Sequence, residues 1–507
     1  MHSSDKIFSI SALSKILEAK RSGKTVAHCH GVFDLLHIGH MRHFEQASKS
    51  ADILVVTVTP DHFVNKGPGR PVFSDELRCE AIASLKCVDY VAVNEWPTAV
   101  ETIAAIRPDL YIKGSEYKKS QADSPDYINV EELAVKQSGG KMHFTEDEVI
   151  FSSSKLINKH LPVFSEEVTQ YLQSFKKLHS PEKLTSIIES FKDLKVLVVG
   201  EAIIDDYHYV QTMGKASKEP ILASKLLSRE SYCGGSLAIA NHISAFVDQV
   251  ELVTFLGDHE TQEDLVRDSL NENITPNFFY KDKSPTITKR RFIEKELVQK
   301  LFEIYIINDE PLNSKQDKQF CQWLEKKLPE YDVVIVSDYG HGMMSPAAIK
   351  ILCEQSKFLA ANAQSNAGNQ GNNSISRYHG ADLITMAGHE MARECRNSHL
   401  TPSEMLLTVS ENVNAPNVVL TRGKYGTLCS SGKKLSHTPA IAPKIVDRVG
   451  AGDAVLSLVS LAYAKETPLD IIGFIGNAAG AEAVATVGNK STIEQIPFIK
   501  HLQSLLK

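Results

Sequence analysis

The sequence predicts a two-domain protein of the α/β class. Three passages predict it: a strand, glycine turn and helix over Thr25–Lys49, a buried strand ending in glycine at Lys195–Gly200, and a glycine-rich turn opening a helix at Asp447–Ala454. A chain of 507 residues fits three domains or fewer.

Thr25-Val26-Ala27-His28-Cys29 leans apolar, as a buried parallel strand does. Gly31-Val32-Phe33-Asp34-Leu35-Leu36-His37-Ile38-Gly39-His40 follows as a turn, and Met41–Lys49 is expected to be helical, with Phe44, Ala47 and Ser48 on one side. This arrangement aims backbone N–H groups and the positive helix end at an anion. His37 and His40 lie one turn apart and can donate to phosphate oxygens, while Gly39 lets the backbone approach closely.

Lys66–Val72 then forms a basic loop, and Arg78 falls on a helix expected over Asp75–Leu85. Pro108–Tyr117 reads as a strand ending in the turn Lys113-Gly114, where open α/β sheets bind ligands. Phe151–Leu156 sets Ser152, Ser153 and Ser154 at a helix start, which alone is a cap and in this company is a second anion cradle. Between His160 and Leu194 two helices are expected, over Ser165–Lys177 and from Ser180-Pro181-Glu182, joining the domains without chemistry of their own.

The second domain opens with Lys195–Gly200, followed by Glu201 and Asp205 at the strand's end. Cys233-Gly234-Gly235 precedes a small-residue helix, Ser236–Phe246, and Asn362–Ser374 has the composition of a flexible loop. In Asp447–Ala454, Gly450-Ala451-Gly452 would offer N–H groups to a phosphoryl group in transfer. Asp453 would sit beside them as general base.

Composition narrows the function classes. Hydrophobic content of 42% and charged content of 23% are ordinary for globular proteins, and a net charge of −7 argues against a nucleic-acid footprint. No apolar run reaches membrane-spanning length, and Met1–Lys20 does not read as a signal peptide. The eight cysteines are scattered without a C-x-x-C pair, so neither a disulfide framework nor a protein-held metal is expected, and a cytoplasmic location is.

The Gly31–His40 stretch resembles the signature of the cytidylyltransferase-like nucleotidyltransferases. That resemblance implies a Rossmann-like domain over 1–160, with His37 and His40 catalytic and Gly31, Phe33, Asp34, Gly39, Lys113, Gly114, Ser152, Ser153 and Ser154 binding the nucleotide. A phosphate of the acceptor would attack the α-phosphorus, so no serine or cysteine nucleophile is needed. Over 25–160, "GVFDLLHIGH", "GPGRPV", "LKCVDYVAV" and "PDLYIKGSEY" are similar in order and spacing to heptose-1-phosphate adenylyltransferase domains. ATP rather than CTP rests on that likeness.

Residues 195–507, beyond a helical linker at 161–194, resemble the ribokinase-like (PfkB) sugar kinases, an α/β/α fold. Supporting matches are Thr286–Phe292, Val333–Gly342, Val418–Gly426 and the small-residue helix around Asn477. The resemblance implies Mg²⁺ with ATP. Thr421, Arg422, Gly423, Gly426, Gly450, Ala451 and Gly452 would then lie on the nucleotide side, and Asp205, Gly234, Gly235 and Arg291 on the sugar side.

Together the halves are similar to bifunctional heptose-7-phosphate kinase/heptose-1-phosphate adenylyltransferases with the domain order reversed. The implied partners are a nucleoside triphosphate and a sugar phosphate, with no nucleic acid or membrane, and ribokinase-like domains often form homodimers. The chain departs from the kinase pattern at Ala238, in place of an asparagine, at Asn362-Ala363-Gln364, at Thr385–Glu390 (with Ala387), and at Glu201. These departures imply an altered sugar or a kinase weakened toward a structural module. Another sugar or polyol phosphate, with CTP, is the alternative for the transferase.

Overall fold

The structure is a computed structural model of the chain, and it describes residues 3–114, 125–145, 163–296, 299–369, 371–397 and 399–507. The chain divides into two compact units, Met1–Ser165 with Gln503–Lys507, and Glu166–Leu502.

The first unit runs α1 (Ile10–Lys20), β1 (Val26–Gly31), α2 (Ile38–Lys49), β2 (Ile53–Val58), α3 (Asp75–Ala83), β3 (Tyr90–Val93), α4 (Val100–Ile106), β4 (Leu110–Lys113), α5 (Pro125–Gln137) and β5 (Lys141–Phe144). Its sheet has the order β3-β2-β1-β4-β5, and every pairing is parallel.

Apolar residues alternate across two covered faces. Ala27, Cys29, Leu54 and Val56 pack with Phe44, Cys79 and Ile82. Val26, Ile53, Val55 and Tyr90 pack with Ile10, Leu13 and Leu17 of α1. That helix, which precedes the first motif, is capped by Ser9 accepting from the N–H of Ala12. Strand order reverses between β1 and β4, and a crevice at such a switch point opens at the strands' carboxyl ends.

The second unit begins with α6 (Glu166–Leu178) and α7 (Pro181–Glu189), then β6 (Val196–Gly200), β7 (Ala202–Lys215), β8 (Leu222–Gly235), α8 (Ser236–Ser244), β9 (Val250–His259), α9 (Glu263–Ser269) and β10 (Ile274–Pro285). It continues through β11 (Thr288–Glu294), β12 (Gln299–Ile306), α10 (Ser314–Lys327), β13 (Val333–Asp338), α11 (Pro346–Gln355), β14 (Leu359–Ala363), β15 (Leu383–Ala387), α12 (Gly388–Cys395) and α13 (Pro402–Val413). β16 (Asn417–Thr421), β17 (Thr427–Ser431), β18 (Lys434–Thr438), α14 (Ala451–Ala464), α15 (Leu469–Ala483) and α16 (Gln495–Leu505), the last as far as Leu502, complete it.

Nine strands form one sheet in the order β10-β9-β6-β13-β14-β15-β16-β17-β18, parallel up to β16 and antiparallel through the last two hairpins. A second sheet of four strands, β12-β11-β7-β8, pairs β11 in parallel with β7.

One expectation is corrected here. The helices expected to act as a linker, α6 and α7, pack into the second unit. Val168, Leu172 and Phe175 give α6 a buried stripe, the Phe175 ring stacks on Phe474 at 4.3 Å, and His179 Nε2 lies 2.5 Å from Asp470 Oδ2. An amphipathic helix must cover its apolar stripe, and here the wall of the second unit covers it.

In the loop expected to be flexible from its composition, the described asparagines bond the chain beside them. Asn366 and Asn369 donate to the Tyr339 carbonyl at 2.7 and 3.1 Å, and Asn373 donates to that of Asp338 at 2.8 Å. Asparagine side chains that bond backbone groups give a polar stretch a defined local turn structure.

Candidate active sites

In the first unit β1 delivers Gly31 to the switch point, and α2 begins directly above it. His37 is the N-cap of α2, its Nδ1 accepting the Gly39 N–H at 3.1 Å. The His37 and His40 rings stack at 3.9 Å, and the Phe33 ring, edge-on to His40 at 5.5 Å, backs them. Burial pushes the His40 imidazole down to about 3, with His37 and His43 adding to the effect and Asp34 opposing it. At neutral pH His40 is therefore a neutral hydrogen-bond donor rather than a cation.

Lys113 ends β4 beside β1, its ammonium 2.9 Å from Glu131 Oε2, and Gly114 follows it. Gly31, Phe33, His37, Gly39, His40, Lys113 and Gly114 thus share one edge of the sheet. Ser152, Ser153 and Ser154 lie outside the described residues.

Asp34, expected among the nucleotide-binding residues, is engaged by its own chain. Its carboxylate accepts from Arg70 Nε at 2.5 Å, the Val72 N–H at 2.9 Å and the Phe73 N–H at 3.2 Å. It clamps the basic loop to the turn, because an acid at a strand end is as well served by backbone N–H groups as by a ligand. Arg78 is likewise structural. Fully buried, it donates to the carbonyls of Val32, Thr59 and Phe73 and to Asp61 Oδ1.

In the second unit a cleft of about 900 Å³ brings together Asp205, Gly235, Arg291, Thr421, Arg422, Gly423, Gly450, Ala451, Gly452 and Asp453. Gly450 is the N-cap of α14 at φ +82, with no side chain capping the helix, so the first N–H groups face the cleft. A Cβ at Gly450 would also stand 2.1 Å from Asn489 Oδ1. Asp453 occupies the first turn of α14, and its Oδ1 accepts the Tyr339 hydroxyl at 2.8 Å. Enclosure by protein pushes this carboxyl up to about 7; Tyr339 pulls it down and Asp205 pushes it further up. A group that titrates near neutrality beside a helix N-terminus can take a proton from a hydroxyl. Met386, Pro402, Met405 and Leu420 give the cleft an apolar stretch of wall, and Asn362 and Ala387 also line it.

Of four further expected residues, two line the cleft and two do not. Asp205 and Arg291 reach the cleft but bind each other. Arg291 also holds Glu303 at 3.1 Å, and Asn489 Nδ2 donates to Asp205 Oδ2 at 3.1 Å. Gly234 adjoins the lining residue Gly235, and a Cβ on it would meet Asp205 Oδ2 at 2.4 Å. Gly426 is off the cleft: at φ +76 its missing Cβ lets the Thr438 carbonyl pass at 1.9 Å from the ideal Cβ position, so the glycine serves chain packing.

Of the departures, Ala238 is buried within α8, away from the cleft wall, and Asn362 donates to the Thr385 carbonyl at 2.7 Å. Glu201 accepts the N–H groups of Tyr339 at 2.9 Å and His341 at 3.1 Å, so it fixes the turn that aims Tyr339. Sequence reasoning missed Tyr339, Lys289, Glu303 and Asn489, all of which face the cleft. Only Tyr339 carried a signal, its place at the end of a strongly apolar strand.

A model of the pfkB family of carbohydrate kinases matches residues 193–496, and a cytidylyltransferase-like model matches 28–159. The chain is similar to the bifunctional protein HldE of Haemophilus influenzae, 27% identical over 309 residues, which are 60% of this chain and 63% of that protein. Its likeness to HldE of Vibrio atlanticus is 29% over 315 residues, 61% of this chain and 64% of that protein. The chain thus spans less than two thirds of the length of these relatives. A solved structure from Agrobacterium tumefaciens, assigned as a ribokinase, covers 62% of this chain and 99% of its own length at a TM-score of 0.50 and 14% identity, which is a likeness of fold.

Proposed function

The chain belongs to the pfkB family of carbohydrate kinases, and on that premise we propose that it activates a sugar in two reactions, one in each unit. The second unit phosphorylates a sugar or sugar phosphate with Mg·ATP. The first transfers a nucleotidyl group, from ATP in preference to CTP, to a heptose-like sugar 1-phosphate. The observation that carries the reading is Asp453, a carboxylate titrating near neutrality at the uncapped start of α14 inside the cleft.

In the kinase reaction Asp453 takes the proton of a sugar hydroxyl as its oxygen attacks the γ-phosphorus. The bond to the β–γ bridging oxygen breaks, and ADP leaves. The N–H groups of the Gly450–Gly452 turn and the positive end of α14 receive charge on the phosphoryl oxygens. The cleft carboxylates suit an ion carried by the nucleotide rather than a protein cage. Asp205 and Glu303 are bound by Arg291, and Glu390 accepts the N–H groups of Ser365 and Ala387, which leaves Asp453. Magnesium bound to the phosphates would neutralise charge as it develops.

In the transferase reaction an oxygen of the sugar 1-phosphate attacks the α-phosphorus and pyrophosphate leaves. His37 and His40 donate to the phosphoryl oxygens from the start of α2. If the kinase acceptor already carries a phosphate, its product carries two, and a phosphatase-type reaction must remove one before nucleotidyl transfer. The Asp205–Arg291–Glu303 pairing favours an acceptor other than heptose 7-phosphate, because those groups meet each other at the acceptor end.

The direct test assays the full chain for ADP formation from ATP over a panel of sugars and sugar phosphates, and for pyrophosphate release from ATP or CTP with sugar 1-phosphates. ADP formation without any acceptor dependence would defeat the kinase reading, and absence of pyrophosphate release would defeat the transferase reading.

The Tyr339 hydrogen bond predicts a pH effect. Asp453 must be ionised to act, so kcat/KM for the kinase rises with pH through about 7. Tyr339→Phe removes a bond that favours the ionised form, so this acid limb moves to higher pH while activity at pH 9 stays near wild type. A pH profile of ADP formation checks it, and an unmoved limb would detach Tyr339 from the base.

A further inference from the structure

Lys289 is a buried cation that forms no ion pair among the described residues. It lies on β11, in register with Asp205 on β7 and Tyr305 on β12, so the three side chains share the sheet face that looks into the cleft. Lys289 is 5% exposed. Its Nζ makes no hydrogen bond or ion pair among the described residues, and it stands over the rings of Tyr305 and Tyr339, 5.2 and 5.4 Å from their centroids. The carboxylates on the same face are engaged elsewhere. Arg291 holds both Asp205 and Glu303, and Asn489 holds the second oxygen of Asp205.

An unpaired ammonium taken out of water is costly, and proteins pair buried charges or give them to a ligand. Burial lowers the Lys289 pKa from its ordinary value, as expected for a cation so placed, while Asp205, Glu201 and Glu303 draw it back. The ammonium is also near the reacting end. Tyr339, whose ring lies beneath Nζ, is the residue whose hydroxyl bonds Asp453.

We propose that Lys289 is a phosphoryl-binding residue of the cleft, its ammonium donating to an oxygen of a phosphoryl group held between Asp453 and the four-stranded sheet. Two phosphoryl groups can stand there, the one in transit from ATP or one already carried by the acceptor. The aromatic rings leave the ammonium's donors free while shielding it, so the incoming anion meets little competition from water.

The first experiment needs no turnover. Inorganic phosphate is titrated into the full chain and thermal unfolding is followed. Wild type should be stabilised at millimolar phosphate, while Lys289→Met should respond at least about tenfold more weakly and Lys289→Arg should keep the response. Without phosphate, Lys289→Met should unfold at or above the wild-type temperature, because it removes an unpaired buried charge. Marked destabilisation of Lys289→Met without phosphate, or an unchanged phosphate response, would overturn the proposal.

The second experiment rests on the kinase reading and locates the phosphoryl group. If the group is in transit, Lys289→Met lowers kcat about 10²–10³-fold with sugar and sugar phosphate alike, the range for one preorganised donor. If it belongs to the acceptor, KM rises only for the phosphorylated sugar. Kinetics within threefold of wild type for both acceptors would also overturn the proposal. A wild-type chain that binds phosphate through Lys289 but forms no ADP would instead defeat the kinase reading alone.

Discussion

Asp453→Asn should abolish acceptor-dependent ADP formation, with kcat falling about 10²–10⁴-fold as for other general bases, and leave pyrophosphate release by the first unit unchanged. The amide still accepts the Tyr339 hydroxyl bond, so the geometry survives and proton acceptance alone is lost. Mg·ATP should bind as well as before or slightly better, because a negative charge near the phosphates is gone.

The same substitution has a second, opposite readout. The folded carboxyl holds its proton up to about 7, whereas an unfolded aspartate releases it near 3.8. The folded state therefore binds more protons between those values, and stability falls as pH rises across the interval. Asp453→Asn should raise the unfolding temperature at pH 8, by the equivalent of up to a few kcal/mol less what the open cleft's water relieves, and the gain should shrink toward pH 5. A variant that is inactive but no more stable at pH 8 would mean that Asp453 is paid for by a partner in the ground state. Full activity in Asp453→Asn would remove it from the mechanism.

What the sequence made legible follows distance along the chain. The strand-turn-helix at Gly31–His40 and the turn at Gly450–Asp453 are local, so backbone chemistry and spacing determine them within about ten residues, and both stand at sheet or cleft edges. Asp205 and Arg291 were set together by resemblance alone, and their contact with Asn489 was beyond reach, because Asp205 and Asn489 lie 284 residues apart and meet only through the two-sheet topology.

Acidic residues at strand ends are harder to read for a different reason. Asp34 and Glu201 sit at strand ends where ligands bind, yet each satisfies backbone N–H groups of a neighbouring turn. No local pattern separates a carboxylate that receives a ligand from one that receives its own chain. Lys289 shows the converse. In the basic run Lys289-Arg290-Arg291 nothing local sets it apart, and only the pairing of Arg291 with both nearby acids leaves it without an ion pair among the described residues.

His40→Ala should lower nucleotidyl transfer about 10²–10³-fold, the loss expected for one preorganised donor, and leave ADP formation unchanged. The stacked His37 ring and the edge of Phe33 hold the imidazole in place before any triphosphate binds, so little reorganisation is left to the reaction. Its protonation state makes the argument testable beyond a rate. With the His40 pKa near 3 in the free protein, kcat/KM for pyrophosphate release should show no His40 limb between pH 6 and 8. A histidinium donor would instead lose activity as pH rises through that interval.

The linkage runs the other way from Asp453. An unfolded histidine takes up a proton near 6.5 and folded His40 does not until about 3, so stability is lost as pH falls below about 6.5. His40→Ala should lessen that acid sensitivity, although losing the ring contact with Phe33 lowers stability at pH 8. Near-normal pyrophosphate release by His40→Ala, or a wild-type rate that falls steeply from pH 6 to 8 and flattens in the variant, would exclude the neutral-donor role. Retained ADP formation shows that the second unit remains folded in either case.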